Sequence, residues 1–253
     1  MQVCILCGGS GTRLKEQTEF IPKPLVPIGG IPMAVHIMRH YASYGFNDFV
    51  LALGHKQDSF KTYFTNYDLI NHDIVLHIGY HGREPVYVVT DKWKVALSDT
   101  GENTLKGGRL KRIEKYIEGD TFMVTYGDGI GDVDISALLA FHQSHGKMVT
   151  VTGVHPVPRF GELCHKDGKV LSYREKQHED GCLTNGGFMV MNRGIFDYLT
   201  PDCDLEYGPL ELLAAKGELM VYEHEGQWRC LDTLNDMLEL QKLWDGGKAK
   251  WRA

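Results

Sequence analysis

Gln2-Val3-Cys4-Ile5-Leu6-Cys7 runs straight into Gly8-Gly9-Ser10-Gly11-Thr12-Arg13-Leu14, and Pro22-Lys23-Pro24 stands a little further on. A short apolar run entering a turn with three glycines is how a buried parallel strand delivers backbone N–H groups to a phosphate-bearing ligand. Residues 2–24 therefore read as a nucleoside triphosphate site. Gly-x-Gly-x-x-Gly counted from Gly9 would need glycine where Leu14 stands, and the chain has no Gly-x4-Gly-Lys-Ser/Thr. A dinucleotide fingerprint and a P-loop are both excluded. A glycine turn alone is a weak signal, but Thr12, Arg13 and Lys23 add the polar and cationic groups that a triphosphate needs.

At 253 residues the chain can bury a large core, and the length suits one big α/β domain or one domain with a small appendage. The 27 basic and 33 acidic residues give a net charge of −6, and no basic run stands out, which argues against a nucleic-acid partner. No charged-apolar-small leader opens the chain and no apolar run is long enough to span a bilayer, so a cytosolic protein without a membrane partner is expected. The six cysteines are scattered and are expected to remain thiols. Cys4-x-x-Cys7 has no second pair at zinc spacing and lies in the apolar strand, where packing explains it better than metal binding.

Reading on, Pro32 opens a helix that Gly45 stops. Phe46 to Gly54 reads as a second strand, Gln57 to Tyr67 as a helix and Ile74 to Ile78 as a third strand. Residues 1–79 thus run β-α-β-α-β, the rhythm of a parallel sheet whose ligand sits beyond the carboxyl ends of its strands. Residues 80–108 break the rhythm and read as a binding loop or lid. There, Gly107-Gly108-Arg109 either offers close backbone approach to a flat base with a guanidinium to hydrogen-bond it, or is a turn that starts a helix with a basic, solvated face.

Thr121 to Asp128 is an apolar strand ending in a carboxylate, which either holds magnesium against bound phosphates or caps a turn. Asp134 to His145 reads as a helix closed by Gly146, and Met148 to Val154 as a strand. Lys169 to Lys176 and Thr184 to Met191 are two strands framing an acidic loop. They carry Glu175-Lys176 and Asn185-Gly186-Gly187, a cation for a phosphate and an amide for hydroxyls, so this half reads as the acceptor site. Leu210 to Lys216 is a short helix, Leu219 to Glu223 a strand and Leu234 to Trp244 a last helix. Asp232, just before it, either shares a cation with Asp128 or caps the helix, a job Thr233 can also do.

Taken together, these words resemble the glucose-1-phosphate cytidylyltransferase family over nearly the whole chain. They are the Gly8-to-Arg13 turn, Lys23-Pro24, Val35-His36-Ile37-Met38, Tyr63-Phe64-x-Asn66-Tyr67, Asp99-Thr100-Gly101, Gly107-to-Arg112, Tyr126-Gly127-Asp128-Gly129, Arg159-Phe160-Gly161, Asn185-to-Phe188 and Asp232-Thr233. The resemblance implies an α/β fold: a Rossmann-like, mostly parallel mixed sheet flanked by helices, with a small β-rich acceptor-binding insertion. It implies one domain, with a nucleotide half over 1–146, an acceptor part over 147–230 and a C-terminal helix over 234–246.

It also implies CTP and a phosphorylated acceptor as substrates, Mg2+ as cofactor and a homo-oligomer. Arg13 and Lys23 would carry the chemistry. Leu6, Gly8, Gly9, Ser10, Gly11, Thr12, Thr104, Arg109 and Gly127 would bind nucleotide, with Thr104 and Arg109 helping to read the base. Glu175, Lys176, Asn185 and Gly186 would bind the acceptor, and Asp128 and Asp232 the metal. The departures fall on the acceptor side, where Gln177 replaces the proline of Glu-Lys-Pro and Leu205 to Pro209 replace a Trp-Glu pair. A different phosphorylated sugar or a phosphorylated non-sugar metabolite therefore stays open as acceptor. UTP or dTTP as nucleotide, and a non-catalytic nucleotide-binding paralogue, stay open too.

Overall fold

The computed structural model describes residues 1–9, 11, 14, 20–73, 75–76, 83–84, 91–155, 161–166, 169–175 and 183–252, the backbone alone for 75–76, 83–84, 161–166 and 169–175. The first strand, β1 (Gln2–Leu6), is buried at every residue. Strand alternation sends Val3, Ile5 and then Cys7 into one apolar layer, Cys4 and Leu6 into the other. Cys4 and Cys7 thus lie on opposite sides of the strand as packing residues, and burial raises both thiol pKa values.

Next come α1 (Met33–Ser43), β2 (Asp48–Leu53), α2 (Gln57–Thr65), α3 (Tyr67–Asn71), β3 (Lys94–Asp99) and α4 (Lys106–Ile113). They are followed by β4 (Thr121–Tyr126), the short β5 (Gly129–Gly131), α5 (Ile135–His145) and β6 (Val149–Val154). A hairpin of β7 (Gly161–Lys166) and β8 (Lys169–Glu175) precedes β9 (Thr184–Asn192), α6 (Glu211–Ala215), β10 (Leu219–His224), β11 (Trp228–Cys230) and α7 (Leu234–Asp245).

Seven strands form one sheet in the order β10-β6-β9-β4-β1-β2-β3. Every neighbouring pair is parallel except the two that β9 makes, with β4 and with β6. Core residues of α1, α5 and α7 cover one face, and those of α4 and α6 the other. This is the mixed, mostly parallel, helix-flanked sheet expected, and β7–β8 is a small β-hairpin outside it. Among the described residues no helix is long and apolar enough to cross a membrane.

The third parallel strand is not the expected Ile74 to Ile78. Val75–Leu76 pairs antiparallel with Arg83–Glu84 apart from the main sheet, while β3 takes the edge position inside the stretch that read as loop. An edge strand is covered on fewer sides, so β3 needs only Val95, Ala96 and Leu97 as its apolar run, too short to announce itself. The helix expected over Gln57 to Tyr67 ends at Thr65 and restarts at Tyr67. The pair of strands expected to frame an acidic loop belongs to different sheets: β8 pairs with β7, and β9 sits between β4 and β6.

Candidate active site

Strand register brings the site together. Leu6 lies opposite Ala52 on one side and Tyr126 on the other, so the chain leaving β1 emerges between the ends of β2 and β4. Cys7 N–H donates to the Ala52 carbonyl at 3.0 Å, and Gly127 N–H to the Leu6 carbonyl at 3.1 Å. A pocket of about 330 Å³ opens at this edge, within the range of small-molecule sites. Leu6, Gly8, Gly9 and Gly11 line it, with Lys23, Gly127 and Asp128 beside them and Thr104 and Arg109 across from the turn's strand.

Lys23 lies in a single 3-10 turn, Lys23–Leu25, entered through Pro22. Its ammonium donates to Asp128 Oδ2 at 3.0 Å and to Asp232 Oδ1 at 2.6 Å. Burial lowers the pKa of this lysine, but the two carboxylates outweigh it and hold the value above its ordinary one. Asp232 is brought to Lys23 and Asp128 by a small second sheet: β5 and β11 pair antiparallel, Gly129 opposite Cys230, and Leu231 N–H donates to the Asp128 carbonyl at 2.8 Å. The helix cap is Thr233. Its hydroxyl accepts from Asp236 N–H at 3.2 Å, while Asp236 Oδ2 accepts from Thr233 N–H at 2.8 Å and Asp232 N–H at 3.0 Å. This capping box leaves the Asp232 side chain out of the cap, and its carboxylate meets Lys23 instead.

Asp128, Cys230 and Asp232 each offer a ligand atom within 4.8 Å of the others. The two carboxylates suit a hard divalent cation, which takes oxygen ligands. Burial first, then the charges of Asp128 and Asp232, push the Cys230 thiol up. Cys230 went unnoticed in the sequence because nothing in its spacing marks it.

Arg109 lines the pocket, yet its guanidinium is turned onto backbone. It donates to the carbonyls of Gly8, Leu53, Gly101 and Glu102 and to the Thr100 hydroxyl. Gly107 and Gly108 are packed against protein. A Cβ on Gly107 would lie 2.5 Å from Cys203 Sγ and one on Gly108 2.1 Å from the Pro201 carbonyl oxygen. These glycines let α4 press against residues 201–204, and Gly108 N–H donates to the Cys203 carbonyl at 3.0 Å.

Asn185 and Gly186 open β9 on the far side of Tyr126. The Asn185 amide donates to Tyr126 Oη at 3.3 Å and accepts from Gly187 N–H at 2.9 Å, and Trp228 Nε1 donates to the Gly186 carbonyl at 2.9 Å. Tyr126 Oη in turn donates to Glu206 Oε1 at 2.5 Å, and Lys106 pairs with the same carboxylate. Burial, followed by hydrogen bonding with Asp204, raises the Glu206 pKa. Lys106, Asp204 and Glu206 were not singled out as site residues, although Glu206 lies in the departing stretch Leu205 to Pro209: they meet only because α4 packs on the 201–206 segment. Glu175 closes β8 through its backbone. Ser10, Thr12, Arg13 and Lys176 lie outside the described residues.

The family model described as nucleotidyl transferase matches residues 2–243. The glucose-1-phosphate cytidylyltransferase of Salmonella typhimurium is 44% identical over 254 residues, covering 100% of this chain and 99% of that protein. A probable glucose-1-phosphate cytidylyltransferase of Bacillus subtilis is 41% identical over the same shares. Among solved structures, the UTP-bound UGPase of Acinetobacter baumannii superposes with a TM-score of 0.70 at 16% identity, covering 96% of this chain and 92% of that one, a likeness of fold.

Proposed function

The chain is a member of the nucleotidyl transferase family, and we propose that it joins CTP to a sugar 1-phosphate, glucose 1-phosphate first among them, releasing pyrophosphate. The observation that carries the reaction type is the meeting of Lys23, Asp128 and Asp232 beside the glycine turn, at the carboxyl edge of the sheet. The choice of CTP and glucose 1-phosphate draws on the full-length relatives that bear those substrates in their names.

An oxygen of the acceptor phosphate attacks the α-phosphorus of CTP, a new P–O bond forms, and the bond to the β-phosphate breaks as pyrophosphate leaves. Both reactants are anions, so the enzyme's work is to offset charge and align oxygens rather than to supply a strong base. Lys23 holds the α-phosphate, and Arg13 stabilises the crowded α-phosphoryl and the leaving pyrophosphate. Backbone N–H groups of Gly8, Gly9 and Gly11 cradle the nucleotide, Thr104 faces it, and Asn185 and Lys176 take the acceptor. Asp128 and Asp232 would hold Mg2+, which when bound neutralises phosphate charge.

Pyrophosphate release with magnesium, each of CTP, UTP and dTTP, and a panel of phosphorylated acceptors tests this reading. CTP with glucose 1-phosphate is expected to give the highest kcat/KM. A best rate with another phosphorylated acceptor would assign the departures at Gln177 and Leu205 to acceptor choice. No release with any pair would leave a nucleotide-binding regulator.

A further inference from the structure

We infer that Arg109 is a positioning residue: it locks three strand-end loops into one floor beneath the nucleotide and acts through their backbone instead of reading the base. The inference rests on the nucleotide-site reading above and gives this side chain a different job within it.

Arg109 is 4% exposed. Its Nη2 donates to the carbonyls of Gly8 and Glu102, each at 2.9 Å, so both hydrogens of that nitrogen are engaged. Its Nη1 donates to the Leu53 carbonyl at 3.1 Å, the Thr100 hydroxyl at 2.8 Å and the Gly101 carbonyl at 2.7 Å. Gly8 follows β1, Leu53 ends β2, and Thr100 to Glu102 follow β3, three strands that are neighbours in the sheet. One planar fork therefore joins the outlets of three adjacent strands. Thr100 adds a cross-tie, its hydroxyl also donating to the Leu53 carbonyl at 2.5 Å.

The loops are shaped around the fork. A Cβ on Gly8 would lie 2.1 Å from Arg109 Cζ, and one on Gly54 2.2 Å from Nη1. Contacts that close require glycine at both places. These five partners are neutral oxygens, so none of them cancels the guanidinium's charge, which stays in the pocket wall. Lysine, with a point charge and three donors, cannot reproduce a rigid fork with five acceptors, and carbonyls left buried without a donor pull their loops apart.

The test uses the full chain with Arg109→Lys and, because that variant removes the whole fork, Thr100→Val. Thr100 is fully buried and does not line the pocket, so it reaches the nucleotide only through Arg109 and the loops. Backbone amide hydrogen exchange in the ligand-free protein is followed at residues 8–9, 54–56 and 101–103, and KM and kcat are measured with CTP and with UTP. The expected result is faster exchange in all three loops together. KM for CTP rises about tenfold or more in Arg109→Lys and a few-fold in Thr100→Val, with a smaller change in kcat and an unchanged CTP-to-UTP preference. A preference that collapses toward UTP would mean that Arg109 touches the base, and exchange that speeds up in only one loop would mean that it is no clamp. Both overturn the inference. Should the wild type turn over neither nucleotide, the functional reading falls and the exchange pattern alone decides the clamp. Should Arg109→Lys not fold, Thr100→Val decides it by the same two readouts.

Discussion

The oxygens that would hold a divalent cation, Asp128 Oδ2 and Asp232 Oδ1, already accept from the Lys23 ammonium. A metal binding there would displace the lysine and free its charge for the α-phosphate. Lys23→Met should therefore separate two quantities. Without nucleotide, Mg2+ is expected to bind more tightly, measured by calorimetry, because its competitor is gone. Turnover should fall by ~10²–10³-fold, the usual cost of removing one preorganised donor. Wild-type turnover in this variant would take Lys23 out of the chemistry.

These residues were legible because each stands in a short word of its own: Pro-Lys-Pro, Tyr-Gly-Asp-Gly, Asp-Thr. Glu206 was not, since its meaning comes from Tyr126 and Lys106, each 80 or more residues away. Arg109 was half legible. Its type and its place at the pocket could be read, but the direction of its fork depends on three loops that no local pattern links.

Among the elements, α7 does more than close the chain. Its capping box fixes the backbone of Asp232 through Asp236 Oδ2, so the cap and one wall of the site share an atom. Thr233→Ala should cost about 1 kcal/mol of stability, as loss of a helix cap does, read from the urea midpoint. It should also raise the magnesium needed for half-maximal rate, and an unchanged requirement would show that the cap and Asp232 are not coupled. Helices and central strands were read well because their apolar periods are long. The misreading of β3 has a simple cause: Lys94 and Asp99 bracket three apolar residues, and the two-residue strand at Val75 borrowed the position that β3 holds in the sheet.

Over the whole molecule, stability should fall in acid. His36, His40 and His142 are buried, and burial holds each pKa below its ordinary value. His36 and His40 meet the carbonyls of Ile28 and Val133, each at 2.8 Å, and His142 lies between Thr150 and Asn192. The unfolded chain takes up these protons first, near pH 6.5, so the neutral imidazoles contribute fully above that pH and lose their contribution as pH falls below it. Each histidine adds at most ~1.4 kcal/mol per pH unit to the slope. Urea midpoints at pH 7.5 and 5.5 should show the decline, and His40→Gln should flatten it. An identical slope in that variant would exclude His40 as a source.

The single reversed strand, β9, has a consequence for how such a molecule can be altered. It begins where its neighbours finish, and Val154, the last residue of β6, is paired with Thr184, the first residue of β9. The chain therefore departs from the sheet after Val154 and rejoins it at Thr184, two positions that lie side by side. A segment entered and left at neighbouring positions can be exchanged for one of another length or make-up while the scaffold keeps its hydrogen-bond ladder.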